Sequence, residues 1–136
     1  MRLLALDTLG ETASVAVATP DGVSAERRSE PGQGQAETLL PLVRAAMRDA
    51  GLGFADLAAL AVAIGPGGFT SVRTGVAAAR GLALATGLPI FPVDRLETLI
   101  AAARGAGVTG PVAAVHDARR GEVVPALAHA DGTLER

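Results

Sequence analysis

The first thirty residues alternate between short apolar runs and turn signals. Residues 2–8, 12–19 and 23–29 each have the length and residue types of a β-strand, and the third is the most polar. The segment Pro20-Asp21-Gly22 marks the turn before the third strand. Because only short links join the three strands, the pattern predicts an antiparallel meander.

From Glu37 onward the apolar positions recur at steps of three and four residues, which predicts a helix near 36–50. Pro41 is compatible with this helix because a proline in the first turn removes no intrahelical hydrogen bond. Further along the chain, the same reasoning predicts a strand at 57–65, a helix near 70–87, a strand at 88–94 and a helix at 95–105.

The predicted order is β-β-β-α-β-α-β-α, which gives an α/β fold with a mixed five-stranded sheet and helices packed on it. This is the arrangement of ribonuclease-H-like domains, found in the sugar kinase, Hsp70 and actin (ASKHA) superfamily. We expect residues 1–108 to form this lobe. Residues 109–136 are expected to begin a second lobe with a hairpin only.

The composition excludes several classes of protein. Cysteine and lysine are missing, so the chain has no disulfide, no thiolate nucleophile and no Walker-A lysine; all 12 basic residues are arginine. With no Trp or Tyr, three Phe and a net charge of −2, tight nucleic-acid binding by this chain alone is not expected. No apolar run is long enough to span a bilayer, so we expect no membrane partner and a cytoplasmic location.

The two histidines, His116 and His129, lie in no metal-ligand pattern, and HExxH is absent. No Gly-x-Ser-x-Gly elbow surrounds any serine. The sequence therefore predicts neither a zinc protease nor a serine hydrolase.

Five motifs resemble those of one known family. They are LALDT (4–8), ASVAV (13–17), ETLLPLV (37–43), AVAIGPGGFTSVRTGVAAARGLA (61–83) and DARRGEV (117–123). Their order and content are similar to the TsaB (YeaZ) family of bacterial tRNA threonylcarbamoyladenosine synthesis. The resemblance extends over nearly the whole chain.

The resemblance implies a non-catalytic scaffold that pairs with the paralogue TsaD. TsaD would carry the metal, the nucleotide and the transfer of a threonylcarbamoyl group to the adenine beside the anticodon, and the ATPase TsaE would join the pair. ATP and Mg²⁺ would then belong to the complex and tRNA would meet this chain only there. Two alternatives stay open: an ATP-dependent phosphotransferase-like enzyme of the same superfamily, and a structural homodimer.

A first candidate site is a phosphate or nucleotide contact at two strand ends. The residues are Asp7, Thr8, Gly65, Gly67 and Gly68. The resemblance implies metal and phosphate binding at Asp7, and a glycine turn before a helix can offer backbone N–H groups to phosphate. The alternative is a solvated strand end and a tight turn that needs glycine for its backbone angles.

A second candidate site is a partner interface on the helix near 70–87. This helix is apolar on nearly all sides, so the domain's own sheet cannot cover all of it. We expect a small-residue face to point outward, with arginines at its rim and Thr70 as the helix cap. A matching helix pair from TsaD or a second copy would complete a four-helix contact. The expected interface residues are Ser71, Arg73, Gly75, Ala78, Arg80, Leu82, and from the first helix Leu39, Val43 and Met47.

A third candidate is the basic hairpin tip at Arg119 and Arg120. It is either an exposed turn with glycine at its special position or a contact with an anionic partner, such as tRNA held mainly by other subunits.

Overall fold

The computed structural model describes the whole chain, residues 1–136, and has the predicted order of elements. The strands are β1 Leu3–Asp7, β2 Ser14–Thr19, β3 Gly22–Arg28, β4 Ala59–Gly65, β5 Ile90–Asp94, β6 Val112–Arg119, β7 Glu122–Ala128 and β8 Leu134–Glu135. The helices are α1 Gln35–Ala50, α2 Phe69–Thr86 and α3 Arg95–Gly105, with a short 3-10 helix at Phe54–Asp56.

The main sheet has five strands in the order β3-β2-β1-β4-β5. Strand β1 pairs antiparallel with β2 and parallel with β4, so the carboxyl ends of β1, β4 and β5 meet at one edge. The predicted mixed five-stranded sheet is therefore confirmed. This edge lies beside the beginning of every helix, which is where ligands bind in open α/β sheets.

Helices α1 and α2 pack side by side on one face of this sheet. Helix α1 buries Leu39, Val43 and Met47, which recur at steps of four and therefore lie on one stripe. Each fully buried side chain of this size stabilises the fold by about 1.5–3 kcal/mol. Gly51 ends α1 in the left-handed conformation, at φ 66°. None of the helices combines the length and the apolarity needed to cross a bilayer.

Strands β6, β7 and β8 form a second sheet against α3. A small core joins them: Leu96, Ile100, Ala114, Ala126 and Ala128. The sequence predicts only a hairpin within residues 109–136, and in the structure β8 adds a third strand to that hairpin. The two residues of β8 are too few to show an alternating pattern in the sequence. The strand forms because it can pair with the edge of β7.

Candidate functional site: an inter-sheet cleft and the outer surface of two helices

The glycine-rich segment after β4 is a tight turn that needs glycine at two places for different reasons. Gly65 has φ +133°, a backbone conformation that side chains rarely allow. Gly67 has an ordinary φ, but a β-carbon there would lie 2.8 Å from Leu9 Cδ2. The turn thus leads sharply from β4 into α2 while lying directly against the end of β1.

Thr8 connects β1 to α2 from inside the protein. Its side chain is fully buried, and its hydroxyl donates to the carbonyl oxygen of Ser71 at 2.6 Å. Gly75, one turn further along α2, lies against the same hydroxyl, since a β-carbon at that position would be 2.6 Å from Thr8 Oγ1. Glycine at 75 therefore lets the helix approach β1 closely.

The turn between β1 and β2 is held from the first turn of all three helices. Besides the Thr8 bond to α2, the Gln35 side-chain amide in α1 donates to Gly10 O at 2.8 Å. In α3, the Arg95 guanidinium donates to Leu9 O at 2.9 Å. Sequence reasoning missed Gln35 and Arg95, because no pattern in the chain indicates which distant carbonyl a side chain will reach.

A cleft of about 760 Å³ opens between this edge of the main sheet and the β6–β7 hairpin. Its charged residues are two arginines and two carboxylates, so the cleft has no dominant sign of charge. The lining residues are Leu9, Gly10, Glu11, Pro66, Gly67, Gly68, Ser71, Arg95, His116, Asp117, Ala118, Arg119 and Val124.

The expected phosphate-contact residues do not converge on this cleft. Gly67 and Gly68 line it, whereas Asp7 and Gly65 do not. Asp7 Oδ1 accepts from the backbone N–H of Leu9 at 2.7 Å, which caps the turn of its own strand. Thr8 is wrong as a ligand contact, because it is fully buried and its hydroxyl already donates to α2. Of the five expected contacts, only Gly67 and Gly68 therefore line the cleft.

No group of three or more His, Asp or Glu side chains is arranged to hold a metal ion. Two of the polar side chains that line the cleft have structural roles: Arg95 holds the turn at Leu9, and Asp117 supports the hairpin tip.

The hairpin tip carries both arginines in an unusual conformation. Arg119 has φ 67° and Arg120 has φ 56°, both left-handed, and Gly121 follows at φ 81°. Asp117 Oδ1 accepts from the Arg119 N–H at 2.7 Å and supports the bend. Both arginines are exposed, and Arg119 lies at the mouth of the cleft.

The predicted partner face is wrong at the residues that the structure buries. Leu39, Val43 and Met47 face the sheet, and Gly75 lies on Thr8. Thr70 does not cap α2, because Gly68 occupies the N-cap position without a side-chain bond. The remaining small residues of that face, Ser71, Ala78 and Leu82, are half-buried, and the last two pack on the core.

The exposed side of the two helices is a different set of residues. Arg73 and Arg80 belong to it as predicted, but the apolar part comes from Phe69 and Leu84, whose exposed fractions are 70% and 90%. We define the α1–α2 outer surface as the exposed residues Glu37, Leu40, Pro41, Arg44, Arg48, Phe69, Arg73, Ala77, Arg80, Gly81 and Leu84.

The fold is similar to that of sugar kinases of the ASKHA superfamily. The ROK hexokinase of Thermus thermophilus superposes on the whole chain with a TM-score of 0.62 at 20% identity, a likeness of fold alone. The family model for TsaD, tRNA N6-adenosine threonylcarbamoyltransferase, matches residues 30–134.

Relatives define the family more narrowly. The Bacillus subtilis tRNA threonylcarbamoyladenosine biosynthesis protein TsaB is 36% identical over all of this chain and 59% of its own length. The Escherichia coli TsaB is 41% identical over 90% of this chain and 53% of its own. YeaZ from Pseudomonas aeruginosa gives a TM-score of 0.86 at 33% identity, over 98% of this chain and 63% of its own. The chain belongs to the TsaB (YeaZ) family, and it spans a little over half the length of these curated relatives.

Proposed function

We propose that this chain is an accessory subunit in the synthesis of threonylcarbamoyladenosine in tRNA. It would bind a TsaD-family transferase through the α1–α2 outer surface and leave the transfer itself to that partner. The names of the TsaB relatives and the match to the TsaD family model support this pathway. This chain and TsaD are expected to share one fold, which supports pairing through the corresponding helices of the two proteins.

One observation carries the binding role: Leu84 and Phe69 are large apolar side chains left almost bare on α2, with exposed fractions of 90% and 70%. Between them lie Ala77 and Gly81, which are small enough for another helix to approach closely. An exposed apolar patch with arginines at its rim is typical of a protein–protein interface.

The cleft supports an accessory role more than a catalytic one. Arg95, which lines the cleft, holds the β1–β2 turn, and Asp7 and Thr8 are engaged within the fold. In the assembly that we propose, TsaD supplies the nucleotide and metal site, TsaE joins as the ATPase, and tRNA is held mainly by the other subunits. Arg119 and Arg120 at the hairpin tip would then reach its phosphates.

The test is complex formation between this chain and the TsaD of the same organism, measured by analytical ultracentrifugation. Leu84→Glu should weaken the complex at least tenfold, because it introduces an unpaired charge into an apolar contact. The control is Val23→Glu, a similar change at a bare valine on the edge strand β3. Equal binding by wild type, Leu84→Glu and Val23→Glu would contradict the proposed surface.

A second candidate function, an ATP-dependent enzyme, is favoured by one feature: a cleft of about 760 Å³ that includes two glycines before a helix N-terminus. Calorimetric titration of the isolated chain with Mg-ATP distinguishes the two proposals. We expect no saturable binding at micromolar ATP. Binding that Gly68→Glu abolishes would favour the enzyme.

A further inference from the structure

Asp21 is the one aspartate of this chain whose carboxylate has no partner. The chain contains seven aspartates, and six of them accept a hydrogen bond or form an ion pair. Those six are Asp7, Asp49, Asp56, Asp94, Asp117 and Asp131. At Asp21 the only bond that involves a side chain is donated by the backbone N–H to Thr19 Oγ1, at 3.3 Å. The carboxylate of Asp21 is therefore free to rotate.

This free carboxylate lies in the turn between β2 and β3, directly before a glycine. Asp21 and Gly22 are both exposed, and Gly22 has φ +118°. A β-carbon at Gly22 would meet nothing within 4 Å, so no neighbouring element crowds the peptide bond between the two residues. The turn leads into β3, which is an edge strand of the main sheet. Such a turn can deform locally while the core stays folded.

We propose that Asp21-Gly22 is a site of spontaneous isomerisation, at which the main chain comes to run through the aspartate side chain. First, the Gly22 nitrogen attacks Cγ of Asp21 and loses its proton, a carboxyl oxygen leaves as water, and a succinimide ring closes. Water then adds to the ring carbonyl that came from the main chain, and the ring opens to isoaspartate. One water molecule is lost and one is gained, so the reaction needs no reagent other than solvent.

The second Asp-Gly pair of the chain shows how the fold can protect such a site. In the turn between β7 and β8, Asp131 Oδ1 accepts from the hydroxyl of Thr133 at 2.7 Å and from its N–H at 2.9 Å. The Gly132 N–H donates to His129 O at 3.1 Å. The bonds from Thr133 also hold the pKa of Asp131 below its usual value, whereas ring closure needs the protonated carboxyl. Both reacting groups of this second pair are therefore held.

Local sequence alone would treat the two pairs as equal, since each is an exposed aspartate followed by glycine. The other five aspartates precede residues with side chains, which hinder attack by the peptide nitrogen. The chain contains no asparagine, so deamidation cannot produce isoaspartate in it. The difference in side-chain hydrogen bonding is what assigns the reaction to Asp21 over Asp131.

Isomerisation would change both the turn and what recognises it. Isoaspartate adds one methylene to the backbone between Thr19 and Gly22, which are paired across β2 and β3, so the beginning of β3 should loosen. The product also has a free α-carboxylate at residue 21. That group is the substrate of the carboxyl methyltransferases that repair isoaspartate with S-adenosylmethionine as methyl donor. The partner implied by this turn is an enzyme of that class.

Peptide mapping of the aged protein tests the proposal. Every basic residue of the chain is arginine, so trypsin separates the two sites: residues 3–27 contain Asp21 and residues 121–136 contain Asp131. After incubation of the folded chain in mildly acidic buffer, isoaspartate should accumulate at Asp21 at least about fivefold faster than at Asp131, because the bonds to Thr133 must break first. Chromatography with fragmentation that distinguishes the isomers measures both rates. Labelling by an isoaspartate methyltransferase with radioactive S-adenosylmethionine gives the total.

Denaturant and two substitutions separate the effect of the fold from that of the sequence. In guanidinium chloride the two rates should become similar, since both sites are then plain Asp-Gly. Asp21→Glu keeps the charge but requires a larger ring, so it should remove most of the methyl labelling of the folded chain. Thr133→Ala removes one of the bonds to Asp131 and should raise the rate at that residue. Circular dichroism confirms that both variants are folded.

Equal rates at the two sites of the folded chain would overturn the proposal, as would faster reaction at Asp131. So would a folded chain that forms no isoaspartate at Asp21 while the unfolded chain forms it at both sites. An unchanged rate at Asp131 in Thr133→Ala would overturn the hydrogen-bond explanation. The inference needs neither TsaD nor tRNA, and it stands apart from the proposed function.

Discussion

Gly75 in α2 faces the hydroxyl of Thr8 at the end of β1 so closely that a β-carbon on residue 75 would lie 2.6 Å from Thr8 Oγ1. The same hydroxyl donates to Ser71 O, so strand and helix touch at two successive turns. This contact sets the distance of α2 from the sheet. It also explains why Gly75 is no part of a partner surface: a Gly75→Arg change would disrupt the fold before it could test an interface.

Gly75→Ala should destabilise the protein by about 1–3 kcal/mol, because the new methyl group has no room and α2 must move outward. The matched control lies in the same helix. A β-carbon at the exposed Gly81 meets nothing within 4 Å, so Gly81→Ala should stabilise by about 0.5–1 kcal/mol through helix propensity alone. Urea unfolding of both variants measures the change in the free energy of unfolding, and the sign of this change should be opposite in the two variants. A stabilised Gly75→Ala protein would refute the close contact.

Thr8→Val should cost about 1 kcal/mol, because it keeps the shape of the buried side chain and removes the hydrogen bond to Ser71 O. Thr8→Ser keeps the hydroxyl and should retain that bond, at the cost of one methyl group. The double variant Thr8→Ala/Gly75→Ala should be more stable than the sum of its single changes predicts, since removing the hydroxyl makes room for the methyl group. Additive free energies in this cycle would mean that the two residues do not press on each other.

Asp94 should make stability depend on pH in mild acid. Burial raises the pKa of Asp94, but the Arg136 guanidinium and the N–H groups of Glu97 and Leu96 outweigh burial and hold that pKa below its usual value. The folded state therefore favours the ionised carboxylate. Its contribution is present above about pH 4 and is lost as the pH falls through the lowered pKa.

Two substitutions at Asp94 separate the cap from the charge. Asp94→Ala removes the N-cap of α3 and should cost about 1 kcal/mol at pH 7. Asp94→Asn keeps a cap oxygen but loses the charge that pairs with Arg136. The stability gap between wild type and Asp94→Asn should therefore shrink in acid. Chemical unfolding at pH 7 and at about pH 3 checks this, and a gap that widens in acid would contradict it.

The hairpin tip should tolerate loss of an arginine without loss of stability. Arg120 has φ 56° and precedes Gly121 at φ 81°, which is the two-residue turn for which Asn-Gly is preferred. Arg120→Asn should stabilise by several tenths of a kcal/mol, since Asn tolerates the left-handed region better. Thermal unfolding of Arg44→Asn, at an exposed arginine of α1 with ordinary helical backbone, provides the comparison. A lower melting temperature for Arg120→Asn would show that its side chain supports the fold.

The amino-acid sequence by itself determined the order of strands and helices. Local signals specify these elements: the alternation in β1 and β2, the four-residue steps of Leu39, Val43 and Met47, and the turn residues at Arg119-Arg120-Gly121. These signals depend only on residues within a few positions of one another, so a single sequence is enough to recognise them. The five motifs likewise point to the TsaB family, because each is a short string of neighbouring residues.

Which side of each helix faces outward was decided only by the tertiary structure. Helix α2 is rich in Ala and Gly, so its faces differ little in hydrophobicity, and the periodicity could not fix its rotation about its own axis. The close approach of Gly75 to Thr8 fixes that rotation, and it turns Phe69, Arg73 and Leu84 to the outside. The same holds for Gln35 and Arg95, whose bonds to Gly10 and Leu9 join residues far apart in the chain and exist only once the three helices begin at one edge of the sheet.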